Sequence, residues 1–402
     1  MYDLKDRKFW LATEDEISKG LTTDAYFINT KKVIDDNKLD NEVVMEVFAR
    51  SVPYDQKWGV VTGIYDVAKL LEGLPIDVDA YEEGGIFLAD GAGVAYEPLV
   101  VIRGRYKDFL EFENPVLGML CSNTSVSTRA ARFRIAAGGR MLLSFGTRRT
   151  HPVLAPMVER ACYIAGFDGV SNVIGASLLG VEASGTMPHA LMQLVGDQAT
   201  AWKLFDKSLP PGVHRTILAD TFWDEKAEAI KAFETLGPRL WGLRFDTPGS
   251  RRGNFKKILE EVRWELDIRG GKSVNLIASG NLEEDDLLTL KDVADGFGVG
   301  TAVAYPPVID FSAKIVEVKV DGKTEYRSKR GGLAGEKTVV RSPGFKDTVG
   351  LAGTIDGAPL LSPLIRSGKI VRRLEPAQDI RLKLLPQLKA VSESQPELAL
   401  SS

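Results

Sequence analysis

Five charged side chains in the middle of the chain could together bind a phosphorylated ligand. Arg148 and Arg149 follow the apolar stretch MLLSFG, Arg244 and Asp246 lie within LWGLRFDT, and Asp220 ends RTILAD. Guanidinium groups pair with phosphate or carboxylate oxygens through two parallel hydrogen bonds. Carboxylates can hold ribose hydroxyls or Mg²⁺, which prefers carboxylate and phosphate oxygens. We therefore expect an anion-binding mouth, although either aspartate alone suits a helix N-cap equally well.

Two glycine-bearing turns later in the chain form a candidate phosphate site. Their backbone N–H groups would face a terminal phosphate, as they do in barrels that build such a site after their last two strands. The residues are Ser279, Gly280 and Asn281 in the first turn, and Gly298, Val299, Gly300 and Thr301 in the second. The glycine pattern alone is equally compatible with tight turns that bind nothing.

His189 is a candidate catalytic residue. It is one of three histidines in the chain and ends the segment GVEASGTMPH. A lone histidine is more often structural than catalytic, but Asp220 ends the next predicted strand. An aspartate there would orient the imidazole ring and raise its nucleophilicity. This placement favours a catalytic role.

The elements that would position these residues alternate between short apolar strands and helices. The clearest helix is NFKKILEEVRWELDI, with Phe255, Leu259 and Val262 on one face. Strands alternating with helices indicate a parallel sheet, and seven strands predict an α/β barrel over residues 121–305 whose strand ends share one mouth. The predicted strands are MLLSFGTRR, GVSNVIGAS, GVEASGTMPH, RTILADTF, LWGLRFDT, VNLIASGN and GFGVGTAVA.

The two chain ends are predicted to form a second domain. Residues 1–120 combine strands with a helix at YDVAKLLEGL, which indicates an α/β sandwich, and residues 306–402 return to strand character and complete it. A long helix should begin at Pro115 and end at Gly138. Residues 329–337 are expected to form a mobile basic loop, and the tail from Ser392 is expected to fray.

Composition excludes several classes of function. Fifty-one basic and 55 acidic side chains give a net charge of -4 with no basic tract, so nucleic acid is not an expected partner. Two cysteines, Cys121 and Cys162, fit neither a disulfide framework nor a zinc motif, which indicates a reducing cytoplasm. The charged start resembles no signal peptide, and the weakly polar stretch 169–183 is too short to cross a bilayer. No membrane partner is expected.

Taken in order, several motifs resemble those of the nicotinate phosphoribosyltransferases, a family of type II phosphoribosyltransferases. The resemblance covers nearly the whole chain, and the run from Asp246 to Gly271 looks particularly like archaeal members. It implies an irregular α/β barrel beside a sandwich built from both chain ends, in a homodimer or higher oligomer with active sites at the subunit boundary. The motifs are TDAY, FENP, STRAARFR, SFGTRRTHP, GVSNV, GTMPH, LRFDT, SGN, FGVGT and SKRGGLAGEK.

The resemblance also implies roles for individual residues. Phe145 would stack on the pyridine ring, with Tyr26 of the partner subunit on its other face. Asp246 would bind the ribose and Mg²⁺, and the two glycine turns would bind the 5-phosphate. His189 would be phosphorylated by ATP, which couples ATP hydrolysis to mononucleotide formation. The other implied substrate contacts are Thr147, Arg148, Arg149, Ser171, Asn172, Arg244 and Thr247.

Ser171 bears on the choice of substrate. Relatives that use nicotinamide look similar around GVSNV but place an aspartate at this position, which would repel the carboxylate of nicotinate. A serine hydroxyl can donate to that carboxylate, so nicotinate and phosphoribosyl pyrophosphate are the expected substrates.

Two alternatives stay open. GTRRTHP also resembles a cationic stretch of quinolinate phosphoribosyltransferases, although those enzymes have no need of a histidine like His189. A barrel that binds a phosphorylated metabolite without catalysis is the other alternative, since fold alone does not guarantee activity.

Overall fold

The computed structural model describes residues 7–54, 56–89 and 96–394, which divide into two compact units. Unit 1 comprises Met1–Ser125, Pro307–Glu375 and Glu393–Ser402, and unit 2 comprises Val126–Pro306 and Pro376–Ser392. The sequence interpretation placed all of 306–402 in the first domain, whereas the structure assigns residues 376–392 to unit 2. The predicted fraying of the tail concerns residues that lie mostly outside the described ranges.

Helices occupy fourteen segments of the described residues. In chain order they are α1 (Glu14–Ser18), α2 (Ala25–Asp36), α3 (Ile64–Leu71), α4 (Glu113–Ala137), α5 (Ala155–Ile164), α6 (Val173–Leu179), α7 (His189–Val195), α8 (Gln198–Ser208), α9 (Glu225–Leu236), α10 (Gly249–Arg252), α11 (Phe255–Ile268), α12 (Glu284–Leu290), α13 (Thr301–Ala304) and α14 (Ala377–Ser394). The predicted long helix is α4, and the helices predicted at YDVAKLLEGL and NFKKILEEVRWELDI are α3 and α11.

Strands among the described residues belong to two large sheets and two two-stranded sheets. In chain order they are β1 (Glu42–Ser51), β2 (Trp58–Val60), β3 (Asp77–Ala80), β4 (Ile86–Leu88), β5 (Val100–Arg105), β6 (Met141–Ser144), β7 (Gly169–Val170), β8 (Thr216–Leu218), β9 (Gly242–Phe245), β10 (Asn275–Ala278), β11 (Gly296–Val299), β12 (Asp310–Val320), β13 (Lys323–Tyr326), β14 (Lys337–Ser342), β15 (Lys346–Leu351), β16 (Ser362–Arg366) and β17 (Lys369–Ile370).

Unit 1 is built on an antiparallel sheet with the order β13-β12-β1-β5-β3-β16-β17. Alternate residues of β1, such as Val43, Met45 and Val47, are buried in its core, and Glu46 and Phe48 on the opposite face are buried as well. β12 and β13 are joined at Asp321 and Gly322, which both have positive φ, as a two-residue hairpin turn requires. Strands from both chain ends therefore share one sheet.

The predicted basic loop differs from the observed structure at its end. Lys337 begins β14, its side chain is buried, and its Nζ lies 2.8 Å from Glu46 Oε2. A buried lysine needs such a partner, because an unpaired charge inside a protein is costly. Residue 337 is therefore part of the sheet-packing core of unit 1 and not of a mobile loop.

Unit 2 is built on a parallel sheet with the order β7-β6-β11-β10-β9-β8. Together with the antiparallel sheet of unit 1, this curled half-barrel confirms the predicted α/β class. Because all six strands run the same way, their carboxyl ends lie at one edge of the sheet. No helix among the described residues is long and apolar enough to span a membrane.

Of the seven predicted strands, GVEASGTMPH is the one that is wrong. Residues 182–188 are irregular, and only the Ser184 N–H donates to a neighbouring strand, to Val170 O at 2.8 Å. Pro188 has no N–H to contribute to a ladder, and Gly180 and Gly185 weaken strand formation. His189 consequently begins helix α7 instead of ending a strand.

Candidate active site

A cavity of about 380 Å³ opens at the carboxyl edge of the parallel sheet in unit 2. Its size is within the range typical of small-molecule sites. The loops after β6, β7, β9, β10 and β11 supply most of its lining. Predicted residues that line it are Phe145, Thr147, Arg148, Arg149, Ser171, Arg244, Asp246, Ser279, Gly280, Asn281, Gly298, Gly300 and Thr301.

Phe145 provides a flat aromatic surface in this cavity. Its backbone N–H donates to Val299 O at 2.8 Å, which ties the end of β6 to β11. A Cβ atom at Gly298 would lie 2.4 Å from two carbons of the Phe145 ring, so only glycine leaves room for the ring there. The guanidinium carbon of Arg244 lies 4.9 Å from the ring centroid. A ring platform with a cation beside it suits a planar, electron-poor ligand.

Arg244 is held by three neutral or acidic partners. Its Nε donates to Ser279 Oγ at 2.9 Å, Nη1 donates to Thr186 Oγ1 at 2.9 Å, and Nη2 donates to Asp246 Oδ2 at 2.8 Å. Burial lowers the pKa of Arg244, against the opposing charge of Asp246. The predicted anion-binding arginine is thus fixed in place and presents its face and remaining N–H groups to the cavity.

The two late turns expose backbone donors. The N–H groups of Gly280, Asn281, Gly300 and Thr301 have no hydrogen-bond acceptor in the described part of the chain. Gly280 has φ of 92°, and a Cβ there would lie 3.2 Å from the Asp246 backbone. Four unengaged amides around one cavity are available as hydrogen-bond donors to an anion such as a phosphate.

Val299 differs from its predicted phosphate-binding role. It is fully buried, does not line the cavity, and accepts the Phe145 N–H through its carbonyl. It is the last residue of β11, and the strand alternation directs its side chain into the core. Val299 therefore supports the platform and does not contact a ligand in the cavity.

His189 lies between two aspartates next to the cavity. Its Nδ1 lies 3.0 Å from Thr221 Oγ1, and its Nε2 lies 3.9 Å from Asp220 Oδ1 and 3.8 Å from Asp246 Oδ2. The nearby carboxylate of Asp246 raises the pKa of His189, with burial opposing and the charge of Asp220 assisting. The structure thus brings the three predicted catalytic residues together, although Thr221 is the residue in hydrogen-bond contact with the ring.

The two aspartates have opposite environments. Burial raises the pKa of Asp220 to about 6, although Asp220 Oδ2 accepts the Asp246 N–H at 2.6 Å and the Thr247 hydroxyl at 3.2 Å. Burial opposes ionisation of Asp246 too, but the neighbouring His189 and the charge of Arg244 lower its pKa overall. Asp246 therefore stays ionised in mildly acidic solution, where Asp220 takes up a proton. Thr247, predicted to contact substrate, points instead to Asp220 and to Glu225 Oε1 at 2.6 Å.

Two buried glutamates fix the turns after β7 and β8. Glu159 Oε1 accepts the N–H groups of Ser171 and Asn172 at 3.1 and 2.8 Å. Glu228 accepts three consecutive N–H groups, from residues 221, 222 and 223, at 3.1, 2.8 and 2.7 Å. Asn172, predicted to contact substrate, accepts the Gly175 N–H at 3.0 Å as the N-cap of α6 and does not line the cavity.

Several lining residues were not predicted. Residues 185–188 pass along the cavity as irregular backbone, and Thr186 holds Arg244. The GTMPH motif indicated that this segment is functional, but the strand predicted there gave a role to His189 alone. The predicted stacking residue Tyr26 lies in α2 of unit 1, with its side chain 54% exposed.

Metal binding by the protein alone finds no support in the side chains. Among residues 7–54, 56–89 and 96–394, no group of three or more His, Cys, Asp or Glu residues is arranged to hold a metal ion. The predicted metal residue, Asp246, already pairs with Arg244 and accepts the Ser279 hydroxyl at 3.1 Å. Magnesium binding at Asp246 therefore stays a prediction.

Comparison with known proteins gives the family. The model of the quinolinate phosphoribosyl transferase C-terminal domain matches residues 126–314, and that of the N-terminal domain matches residues 24–124. Nicotinate phosphoribosyltransferase pncB1 of Mycobacterium tuberculosis is 30% identical over 78% of this chain and 76% of its own length. The chain therefore belongs to the type II phosphoribosyltransferases and is an enzyme of that family.

Solved structures agree with this fold. The nicotinate-nucleotide pyrophosphorylase of Pyrococcus furiosus, an archaeon, is 45% identical, with a TM-score of 0.90 over 96% of this chain and 99% of its own. The human nicotinic acid phosphoribosyltransferase has a TM-score of 0.73 over 94% of this chain and 95% of its own, at 18% identity. The predicted resemblance to archaeal members is in keeping with the first of these similarities.

Proposed function

We propose that this enzyme joins nicotinate to 5-phosphoribosyl-1-pyrophosphate, forming nicotinate mononucleotide and pyrophosphate. The observation that carries the proposal is one cavity that combines the Phe145 platform, the cations Arg148 and Arg149, and the unengaged amides of the two late turns. A pyridine ring, its carboxylate and a 5-phosphate need those three features. Relatives named nicotinate phosphoribosyltransferase support the choice of pyridine.

In the proposed reaction, the pyridine nitrogen attacks carbon 1 of the ribose while the bond from that carbon to the pyrophosphate oxygen breaks. The electron pair of that bond leaves with pyrophosphate, so no proton transfer is needed at the reacting centre. The protein contributes alignment of the ring on Phe145 and cationic surroundings for the departing pyrophosphate. Asp246, which stays ionised, can accept hydrogen bonds from ribose hydroxyls.

Magnesium enters the proposal only as a companion of the substrate. Mg²⁺ commonly binds substrate phosphates with few protein ligands. The Mg²⁺ concentration needed for activity should then rise with the concentration of phosphoribosyl pyrophosphate. The enzyme alone should bind Mg²⁺ weakly in calorimetry. A tight magnesium site in the free enzyme would contradict this assignment.

We further propose that ATP phosphorylates His189. A ring nitrogen attacks the γ-phosphorus, the bond to the bridging oxygen breaks, and ADP leaves. Thr221 and the two aspartates hold the imidazole beside the substrate cavity, which supports this role. His189→Ala should retain ATP-independent synthesis while losing ATP hydrolysis and the stimulation that ATP gives.

Labelling from γ-labelled ATP tests the phosphorylation directly. Label on the wild type should survive alkaline pH and be lost in acid, and His189→Ala should take up none. His214→Ala is the matched control, because His214 stacks on Trp241 with ring centroids 4.1 Å apart and lies outside the cavity lining. Full ATP stimulation in His189→Ala would remove the assignment.

Transfer to quinolinate is the second candidate, and the family models that match residues 24–124 and 126–314 favour it. One assay separates the two. The enzyme is incubated with phosphoribosyl pyrophosphate and Mg²⁺ plus nicotinate, nicotinamide or quinolinate, with and without ATP, and the nucleotide is identified. Carbon dioxide release from quinolinate with no nicotinate turnover would establish the second candidate.

The proposal includes a homodimer in which Tyr26 of the partner subunit covers the pyridine ring. The exposed Tyr26 side chain and the family resemblance support it. Tyr26→Ala and Phe145→Ala should each be nearly inactive, and mixing the two after mild dissociation should restore part of the activity. Failure of mixed subunits to recover would indicate that each chain works alone.

A further inference from the structure

The Ser171 hydroxyl contacts a buried glutamate, Glu159. Glu159, in α5, has no exposed surface, and its Oε1 lies 3.4 Å from Ser171 Oγ in addition to accepting the Ser171 and Asn172 N–H groups. Oε1 already accepts two backbone N–H groups, so it is an acceptor oxygen and the serine hydroxyl is the donor in this contact. Within the described ranges, Glu159 is the acceptor recorded for that hydroxyl.

Glu159 has little freedom to turn away. A Cβ atom at Gly175 would lie 2.9 Å from Glu159 Cγ, which shows how closely the α6 backbone packs on this side chain. Ser171 and Asn172 donate their backbone N–H groups to the same oxygen, so the acceptor and the hydroxyl are held in one turn. The hydroxyl contact is long for an O–H···O bond, and we expect it to shift affinities by small factors.

We propose that Glu159 is a specificity-determining positioning residue that turns the hydrogen of the Ser171 hydroxyl away from the cavity and its oxygen lone pairs toward the substituent of the pyridine ring. This inference rests on the proposed function. It reverses the role expected from the sequence, in which Ser171 donates to the carboxylate of nicotinate.

The reversal has a clear chemical consequence. An oxygen that presents lone pairs accepts a hydrogen bond from the amide of nicotinamide and gives nothing to a carboxylate. Recognition of nicotinate must then come from cations such as Arg148 and Arg149, and Ser171 makes the pocket more tolerant of nicotinamide. Glu159 acts through Ser171 and touches no substrate itself.

Ser171→Ala is the first test, because a small side chain at the cavity wall is easily accommodated. The inference predicts that nicotinamide weakens by about three- to tenfold while nicotinate changes by less than about twofold, as one hydrogen bond to one ligand is lost. Calorimetric affinity and the KM from pyrophosphate release are both measured. A larger loss for nicotinate than for nicotinamide would show a donating hydroxyl and overturn the inference.

Glu159→Gln is the second test. Glutamine still accepts the two N–H groups but is a weaker, uncharged acceptor for the hydroxyl, so nicotinate should bind about threefold tighter with kcat little changed. In a Ser171→Ala background the same substitution should have no effect on the nicotinate-to-nicotinamide ratio. An equal effect in both backgrounds would contradict action through Ser171.

Glu228→Gln is the matched control, since it makes the same change in the buried glutamate that fixes the turn after β8. Its ratio of nicotinate to nicotinamide affinity should equal that of the wild type. If Glu159→Gln fails to fold, the Ser171→Ala result still decides. A wild type that binds neither pyridine removes the proposed function and the inference together, whereas turnover of nicotinate with the reversed Ser171→Ala pattern removes the inference alone.

Discussion

The turns after β7 and β8 differ from the turns after β10 and β11 in what their backbone amides contact. In the first pair, Glu159 and Glu228 accept the N–H groups from inside the protein. In the second pair, within the residues that the structure describes, no protein acceptor meets the amides of Gly280, Asn281, Gly300 and Thr301. The four turns share one sheet edge, yet the second pair leaves these four amides as donors for an anion.

This difference shows how one edge can be divided between rigid support and ligand binding. A buried carboxylate that gathers consecutive amides fixes a turn without a ligand, and the side chains on that turn, Ser171 and Thr221, are then held in place. A glycine turn without such a carboxylate keeps its donors available for phosphate. Substitutions in and near these turns test the difference between the two pairs.

The largest expected effect is from Gly298→Ala, in β11, next to a turn whose amides have no protein acceptor. The added Cβ would lie 2.4 Å from the Phe145 ring, so the ring must move and kcat/KM should fall by about 100-fold. Steady-state kinetics and thermal unfolding measure the two consequences. Gly249→Ala is the control, since a Cβ there has no neighbour within 4 Å. Equal kinetics in both variants would show that the ring platform is dispensable.

Glu228→Ala should destabilise the turn after β8, which the glutamate fixes. Three N–H groups and the Gln198 side chain lose their acceptor, and the free energy of unfolding should fall by about 2 to 3 kcal/mol. Glu228→Gln should lose less, because it keeps one acceptor oxygen. Urea denaturation of both variants gives the values. If the two variants are equally stable, the glutamate does not hold the turn through its oxygens.

Arg244→Lys tests the arginine of β9, the strand that lies between β8 and β10 in the sheet. Lysine keeps the charge but cannot reach Ser279, Thr186 and Asp246 together, so binding of phosphoribosyl pyrophosphate should weaken by about tenfold. Calorimetry gives the affinity directly. Unchanged affinity would assign Arg244 to structure alone.

The smallest expected effect is a pH dependence at Asp220. Because burial raises its pKa to about 6 in the folded state, that state holds the proton more tightly than the unfolded state. This group's contribution to stability is therefore fully present below about pH 4 and is lost as pH rises through about 6. Asp220→Asn should remove that slope from urea midpoints measured at several pH values. An unaltered slope would mean that Asp220 ionises normally.

Much of the fold could be predicted because its signals are local. Apolar runs ended by glycine or polar residues predicted the six strands of the parallel sheet in unit 2, and the helical period predicted α3, α4 and α11. The convergence of parallel strand ends then placed most of the predicted residues around one cavity, although their chemical roles stay predictions.

The errors occur where the signal depends on distant contacts. The period of GVEASGTMPH looks like that of a strand, and only the missing ladder partners show otherwise. Glu159 and Glu228 look like surface glutamates, but each lies on the apolar face of its helix, with Ala155 and Cys162 flanking Glu159 and Ala232 following Glu228. A charged residue at a core position was the available signal, and its partners could not be known before the fold.

The assignment of residues 376–392 to unit 2 has a consequence for how the chain is made. Arg381, in α14, donates to Tyr163 O and Phe167 O and pairs with Asp168 at 2.9 Å, across more than 200 residues of sequence. When a ribosome has added residue 375, every strand of both sheets has been synthesised, yet unit 2 still lacks its last helix. Completion of the unit that carries the cavity must therefore wait until α14 has been synthesised, and its early-made surface stays uncovered until then.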